Sequence, residues 1–597
     1  MHLVDSPSDF ARDATDGFLA AYARYVQRVP DTWAVMRRGR PREGKVAVVV
    51  GGGSGHYPAF CGLVGAGMAD AAVMGEVFTS PSAEQAYRTG RAVDAGAGVL
   101  FSYGNYAGDV LNFGAAQERL LLDGIDCRTV LVTDDVASAS AQEAGRRRGV
   151  AGDFIVFKIA GAAAERGQRL DDVERLARHA NARTFSFGAA FRGCTLPGAA
   201  EPLFTVAPDT IELGLGIHGE PGVATADRVD VNGLARHLVE PILCERPVGS
   251  SNRVAVLLNG LGGTKYEEMF LLFKHVGSLL GEAGLTLVQP EVGELVTSLD
   301  MAGVSVTVTW LDDELDELWA APCDAPAFRR VQESAHATTA SASARSGDEA
   351  SLARAQTVEE RATASDTSAE AYTGPGEPST ADANADLIRR ALAAMLAAVE
   401  ENEQLLGHLD AVAGDGDHGT AMVRGLRAAC EASRRVPAGA QAVLDAAADA
   451  FADRGAGTSG ILWGVMLHAI GQALGDGDQP DGGQVAQALA SATRELARVG
   501  GASPGDKTML DSLLPFQVEL ARAIDSGENV AAAWVGAAER ATDAARRTSE
   551  LVARLGRARP LGAKGLGTPD PGATSMALCL QAVGATLAAG PKSRAKG

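Results

Sequence analysis

Residues 334–386 run through alanine, serine, threonine and charge with almost no large apolar side chains. A stretch of about fifty such residues cannot bury enough surface to offset the entropy of ordering it, so it reads as a flexible linker. It divides the 597 residues into two folding units, 1–333 and 387–597. A chain this long would in any case exceed a single compact core.

The two units carry different patterns. Before the linker, apolar runs alternate with helical stretches: KVAVVV (45–50), TVLVTDD (129–135), DFIVFKIAG (153–161), RVAVLLNGLGG (253–263) and VSVTVTWL (304–311). The runs read as buried strands and the alternation as an α/β architecture, with a further division near residues 190–245. After the linker, Leu387, Ala391, Met395 and Val399 recur at helical spacing, alanine is abundant and long strand-like runs are absent. That unit is expected to be all-α.

Composition excludes several classes of function. A formal net charge of −21 opposes nucleic acid and anionic membrane surfaces. The seven cysteines are scattered without a CxxC pair, which fits reduced cytoplasmic thiols better than a disulfide frame or a zinc site. The first residues, MHLVDSPSDFARD, lack the basic-then-apolar order of a signal peptide. The longest uncharged run, 455–475, is studded with Gly, Ser, Thr, His and Gln and reads as a buried helix, not a membrane span.

Five segments carry chemistry. The segment 410–422, DAVAGDGDHGTAM, brings Asp410, Asp415 and Asp417 within eight residues, with glycines that let the backbone fold tightly. Converging carboxylates suit a hard divalent cation shared with phosphates, although Asp-Gly pairs equally make plain turns. An EF-hand is excluded, because Gly419 and Leu426 stand where that loop needs oxygen ligands. RGAGTSG (454–460) opens an apolar helix and offers amides and the Thr458 and Ser459 hydroxyls to an anion, and no GxxxxGK[ST] motif is present. VVVGGGSGHYP (48–58) follows a strand and is expected to enter a helix; it misses the dinucleotide spacing at His56 but still presents Gly53 and Ser54 to a small polar ligand. GLGIHGEPG (214–222) exposes His218 between glycines, where it serves either as a nucleophile or as a hydrogen-bonded loop residue. Asp109 in YGNYAGDVLNF (103–113) is a carboxylate able to accept a hydroxyl proton.

Taken in order, GGGSGH (51–56), VFTSPS (77–82), NYAGDVLNF (105–113), KIAGAAAE (158–165), GIHGEPG (216–222), NGLGGT (259–264) and TSLDMAG (297–303), then GDGDHG (414–419), GTSG (457–460), DKTMLD (506–511) and DPGATS (570–575), resemble the dihydroxyacetone kinase family. The resemblance covers nearly everything but the linker. It implies a ketose-binding K domain over 1–333, a linker over 334–386 and a nucleotide-binding L domain over 387–597, the last an eight-helix barrel. It implies that His218 adds to the substrate ketone to form a hemiaminal, that Gly53, Ser54 and His56 hold the substrate with His56 assisting, and that Asp109 takes the hydroxyl proton. It further implies two magnesium ions on Asp410, Asp415 and Asp417, and ATP contacts from Gly457, Thr458, Ser459, Gly460, Thr508, Met509, Asp570 and Gly572. The partner implied is a second copy of the chain, as a homodimer.

Two positions depart from the family pattern. Tyr57 stands where glutamate is usual, and Gly104 where lysine is frequent. Losing that lysine removes a cation and opens space, which points to a larger or differently oriented ketose such as a tetrulose; the reaction implied is ATP-dependent phosphorylation of dihydroxyacetone or erythrulose. Other family readings are a phosphotransferase relay with bound ADP, a non-catalytic ligand sensor, and a side activity that cyclises FAD-type nucleotides. Relay members keep the halves in separate subunits, so the fusion favours free ATP.

Overall fold

The computed structural model describes residues 3–220, 222–331, 380–414, 416–455, 457–477, 479–556 and 564–590. Most of the expected linker lies outside these residues, as does Asp415; the first helix of the second unit begins at Thr380, inside the segment expected as linker.

The first unit is built on two sheets. One holds Val26–Arg28 (β1), Val35–Arg37 (β2), Ala47–Ser54 (β3), Ala71–Val77 (β4), Val99–Gly104 (β5) and Cys127–Val132 (β6), in the order β1-β2-β4-β3-β5-β6. Strands β4, β3, β5 and β6 run parallel. β3 sits at the point where the order reverses, and in open parallel sheets ligands bind beyond the carboxyl ends at such a point. The other sheet adds Thr184–Arg192 (β7), Thr210–Leu213 (β8), Ala224–Asp227 (β9), Arg253–Gly260 (β10), Thr286–Leu287 (β11), Glu291–Gly293 (β12) and Ala302–Trp310 (β13). Its order is β11-β10-β13-β7-β8-β9, with β12 also on β10, and its long central pairs β10–β13 and β13–β7 are antiparallel.

The run DFIVFKIAG is not a strand. It lies in the helix Gly152–Glu165, whose residues from Gly152 to Ala164 are all buried. A helix apolar on every side has no amphipathic period to betray it, and an unbroken apolar run fits a buried strand equally well. This helix shares one core with inward residues of both sheets, among them Val48, Val50, Leu100, Ala190 and Leu257. At Gly161 a Cβ would stand 2.0 Å from the Met68 carbonyl oxygen, so the close approach admits only glycine. The segment after GGGSGH also differs from expectation. β3 continues through Ser54, and the next helical element is only the 3₁₀ turn Cys61–Leu63.

The second unit is all-α, as expected. Eight long helices, Thr380–Glu401, His418–Arg435, Ala440–Arg454, Gly457–Leu474, Gly482–Gly500, Leu510–Asp525, Val530–Arg547 and Pro571–Ala588, each pack on the next, and the last returns to the first, closing a ring. A short helix, Glu403–Ala411, precedes the acidic loop. The ring encloses an apolar cavity of about 630 Å³ lined by Met395, Trp463, Met466 and Leu580 among others, the wrong chemistry for a triphosphate. Among the described residues no helix is long and apolar enough to cross a membrane.

Candidate active site

The carboxyl ends of the parallel strands deliver three loops to one place. β3 brings Gly53, Ser54 and His56; β4 brings residues 78–82; β5 runs into the helix Ala107–Leu122, whose first turn carries Asp109. From the second sheet, the connection between β8 and β9 brings His218. The two imidazoles meet edge to face with centroids 4.8 Å apart, and both are buried.

Each histidine has one ring nitrogen fixed. His56 Nδ1 donates to the Thr297 carbonyl at 2.7 Å, which leaves the lone pair on Nε2. His218 Nδ1 faces Glu220 Oε1 at 3.2 Å, and its backbone amide donates to Glu220 Oε2 at 3.0 Å. Burial alone would raise the Glu220 carboxyl, but His218 and Arg148 outweigh it and hold the group well below the usual carboxylate range. A carboxylate on Nδ1 puts the proton there and the lone pair of His218 on Nε2. Arg148 is itself anchored by Asp135, through Nε at 2.9 Å and a second contact at 2.7 Å.

Aromatic walls complete the pocket. Phe78 stacks on His56 with centroids 5.0 Å apart and meets His218 edge-on at 5.4 Å. Tyr106 meets His218 at 4.5 Å, and its hydroxyl donates to the Gly149 carbonyl at 2.9 Å. Phe78 has a backbone φ of +57°, rare for a bulky residue. The space left at Gly104 is not open: a Cβ there would lie 3.1 Å from the Tyr106 ring. Tyr57 packs outward, its ring 6.1 Å from Phe18 and 44% exposed, while neighbouring His56 is buried.

A second cavity lies across the seam between the two units. A cavity of about 420 Å³ is lined by Thr79, Ala107, Val110 and Leu111 from the first unit, and by Asp410, Asp417, Gly457, Thr458, Ser459, Thr508, Met509, Asp570 and Gly572 from the second. Of the expected nucleotide residues only Gly460 stays behind the wall, facing Gly455 and Ala452. Gly457–Gly460 form the first turn of Gly457–Leu474, and Asp570 caps Pro571–Ala588 by accepting from the Ala573 amide at 2.7 Å. Burial, then Asp410, raises the carboxyl of Asp417; burial is also the first cause that pushes Asp570 up to about 7, with Asp410 again adding to it. Buried carboxylates held near one another are a donor set that a hard cation shared with phosphate oxygens neutralises. Among the described residues, which exclude Asp415, no three His, Cys, Asp or Glu side chains form a complete metal cage.

The halves touch where the chemistry requires it. A Cβ at Gly108 would lie 3.3 Å from the Thr458 amide nitrogen and 3.4 Å from Gly457 Cα. Asn112 Nδ2 donates to the Gly457 carbonyl at 3.4 Å, Thr79 Oγ1 to Asp417 Oδ2 at 3.0 Å, and Ser82 Oγ to Asp453 Oδ1 at 2.6 Å. Arg424 reaches Glu76 at 3.7 Å. Asp109, beside Gly108, is therefore carried on the helical turn that abuts the GTSG turn.

Sequence reasoning missed Glu220, Arg148 and Asp135 behind His218, and also Phe78, Tyr106, Thr79 and His418. Glu220, Phe78 and Thr79 stood in motifs already singled out, whereas nothing in spacing joins Asp135 and Arg148 to residue 218. His418 accepts or donates with Ser575 Oγ at 2.9 Å, and burial lowers its pKa to about 4. An unfolded histidine titrates near 6.5, so below that pH the unfolded chain takes up the proton first. Stability from His418 is complete above about pH 6.5 and lost as pH falls toward 4, by up to about 3 kcal/mol. Because Asp570, raised to about 7, gains stability as pH falls through the same window, the test is a difference: between pH 7 and 4 the native chain is expected to lose stability relative to His418→Gln in thermal melts.

With this geometry in view, comparison with known proteins is informative. The Dak1 domain matches residues 16–327 and the DAK2 domain residues 412–585. The chain is 50% identical to a D-erythrulose kinase of Mycolicibacterium smegmatis, with 97% of each chain covered. It is 48% identical to an L-erythrulose kinase of Pectobacterium atrosepticum, covering 98% of this chain and 96% of that one. Among solved structures, the dihydroxyacetone kinase from C. freundii in complex with AMP-PNP and Mg2+ aligns over 98% of this chain and 99% of its own, with 29% identity and a TM-score of 0.52.

Proposed function

This chain belongs to the dihydroxyacetone kinase family, with Dak1 and DAK2 domains in one polypeptide, and on that premise we propose that it transfers the γ-phosphate of magnesium ATP to a terminal hydroxyl of erythrulose held on His218. The carrying observation is the seam, where the turn bearing Asp109 lies against the GTSG turn of a cavity that also holds Asp410 and Asp417. In the assignment that follows, residues 1–333 bind the ketose, 334–386 link, and 387–597 bind the nucleotide.

His218 Nε2 adds to the ketone carbon, and the carbonyl π pair moves to oxygen, which takes up a proton. The imidazole gains positive charge, which the Glu220 carboxylate at Nδ1 stabilises, while Arg148 keeps that carboxylate ionised. Gly53 and Ser54 border the captured sugar, and His56 Nε2 is the base or proton carrier nearest the new hydroxyl. A polyol such as glycerol has no carbonyl carbon and cannot be captured. Tethering fixes the terminal hydroxyl, and Asp109 accepts its proton as it attacks.

Asp410, Asp415 and Asp417 would hold magnesium, which would supply positive charge to neutralise the phosphates of ATP. Gly457, Thr458 and Ser459 offer first-turn amides and hydroxyls to phosphate. Thr508, Met509, Asp570 and Gly572 wall the rest of the cavity.

A four-carbon ketose is favoured over dihydroxyacetone because relatives at 45–50% identity over nearly the whole chain carry erythrulose kinase names. The small residue at Gly104 lets Tyr106, rather than a lysine, border His218. Steady-state turnover with ATP should give kcat/KM for one erythrulose enantiomer roughly tenfold or more above dihydroxyacetone, with no glycerol turnover. Preference for dihydroxyacetone would overturn the choice of ketose, and turnover of neither would overturn the kinase assignment.

A further inference from the structure

The segment between β4 and the helix Ala83–Val93 touches both halves of the reaction centre. Phe78 packs on both imidazoles, at 5.0 Å from His56 and 5.4 Å from His218. The backbone of Phe78 and Thr79 lies against the substrate loop, since a Cβ at Gly53 would stand 2.5 Å from the Thr79 nitrogen and 2.6 Å from the Phe78 carbonyl carbon. One residue on, the Thr79 hydroxyl reaches Asp417 across the seam, and Ser82 reaches Asp453.

From this arrangement we infer that residues 77–82 couple the two sites, so that a filled nucleotide cavity tightens the grip of His218 on the ketose. The claim rests on the ketose-kinase reading and adds to it a positioning role for Phe78 and Thr79. The Thr79 hydroxyl has one proton and two acceptors at 3.0 Å, the Val77 carbonyl within its own turn and Asp417 of the other unit. With the second unit away, the proton goes to Val77. With the second unit docked, it goes to Asp417, and the turn is held from outside. Phe78 is in the left-handed region, a conformation that persists only where the surroundings fix it. Docking at Thr79 and Ser82 supplies that fixing on one side, and the imidazoles supply it on the other. Whatever holds the ring against His218 also lowers the freedom of the nucleophile. By linkage, nucleotide binding and ketose binding then strengthen each other by the same factor.

The test uses the full chain, erythrulose and the non-hydrolysable analogue AMP-PNP with magnesium. In calorimetric titrations, saturating Mg·AMP-PNP is expected to lower the erythrulose Kd of the native chain about fivefold or more. At AMP-PNP concentrations shown by direct titration to saturate each variant, Thr79→Val and Ser82→Ala should both lack that gain, and Thr79→Ser, which keeps the hydroxyl, should restore it. Phe78→Leu should weaken ketose binding in both conditions and also lose the gain. A melting temperature equal to native in Thr79→Val separates coupling from simple loss of fold, and Ser82→Ala gives a second route should that variant misfold. If the chain turns over erythrulose with ATP but Thr79→Val and Ser82→Ala keep the full gain, or the native chain shows none, the coupling is wrong and the kinase reading stands. If no short ketose is turned over, both fall.

Discussion

Replacing His218 with alanine is expected to lower kcat/KM for erythrulose by about 10³-fold or more, because the proposed covalent tether that would orient the hydroxyl could no longer form. The residual activity should no longer distinguish a ketose from glycerol. The reasoning is geometric. The imidazole is buried, walled by Phe78, Tyr106 and His56, and oriented by Glu220 at Nδ1. Removing the ring removes the atom proposed to bond to carbon, and binding of the remaining hydroxyls would not replace that specificity. Steady-state kinetics on both substrates measures it. A variant that keeps its selectivity for ketoses would show that capture at nitrogen is not the basis of recognition.

Asp109→Asn should behave differently. The isosteric amide keeps the first turn of Ala107–Leu122 and its approach to Gly457 and Thr458, but it cannot accept a proton. A fall in kcat of about 10²- to 10⁴-fold is expected with little change in KM, the signature of a base used only in the transition state. Ketose binding by the variant should remain close to native. A loss concentrated in KM would instead make Asp109 a substrate-binding residue.

How far the sequence could lead is clearest from individual residues. The α/β character of the first unit and the helical character of the second follow from period and composition, and both are present. The helix Gly152–Glu165 was misread as a strand because its environment is apolar on all sides, so the signal that separates the two states was missing. His56 and Asp109 follow β3 and β5 of the parallel sheet, whereas His218 lies between β8 and β9 of the other, and only the packing of the two sheets sets His218 against His56. The shell behind His218 could not be read. Asp135 and Arg148 flank a connection far from residue 218 in sequence, and only folding sets them beside Glu220. Gly104 teaches the reverse lesson. A missing side chain suggested empty space, yet the Tyr106 ring fills it. Tyr57, the other departure from the family pattern, turns its ring toward Phe18 of the helix Phe10–Ala21.

The seam gives the two halves a common purpose. Neither the aromatic pocket nor the acidic cavity does phosphoryl transfer alone. Transfer needs the captured hydroxyl and the γ-phosphate in line, with charge neutralised between them. The contacts of Thr79, Asn112 and Gly108 with Asp417, Gly457 and Thr458 place the two sites side by side.

The most direct measurement is a carbon-13 NMR spectrum of erythrulose labelled at its carbonyl carbon and bound to the native chain. Loss of the ketone resonance and a new signal from a tetrahedral carbon, absent with His218→Ala, is the result expected. A bound sugar whose carbonyl resonance persists unchanged would contradict covalent capture and, with it, the central claim.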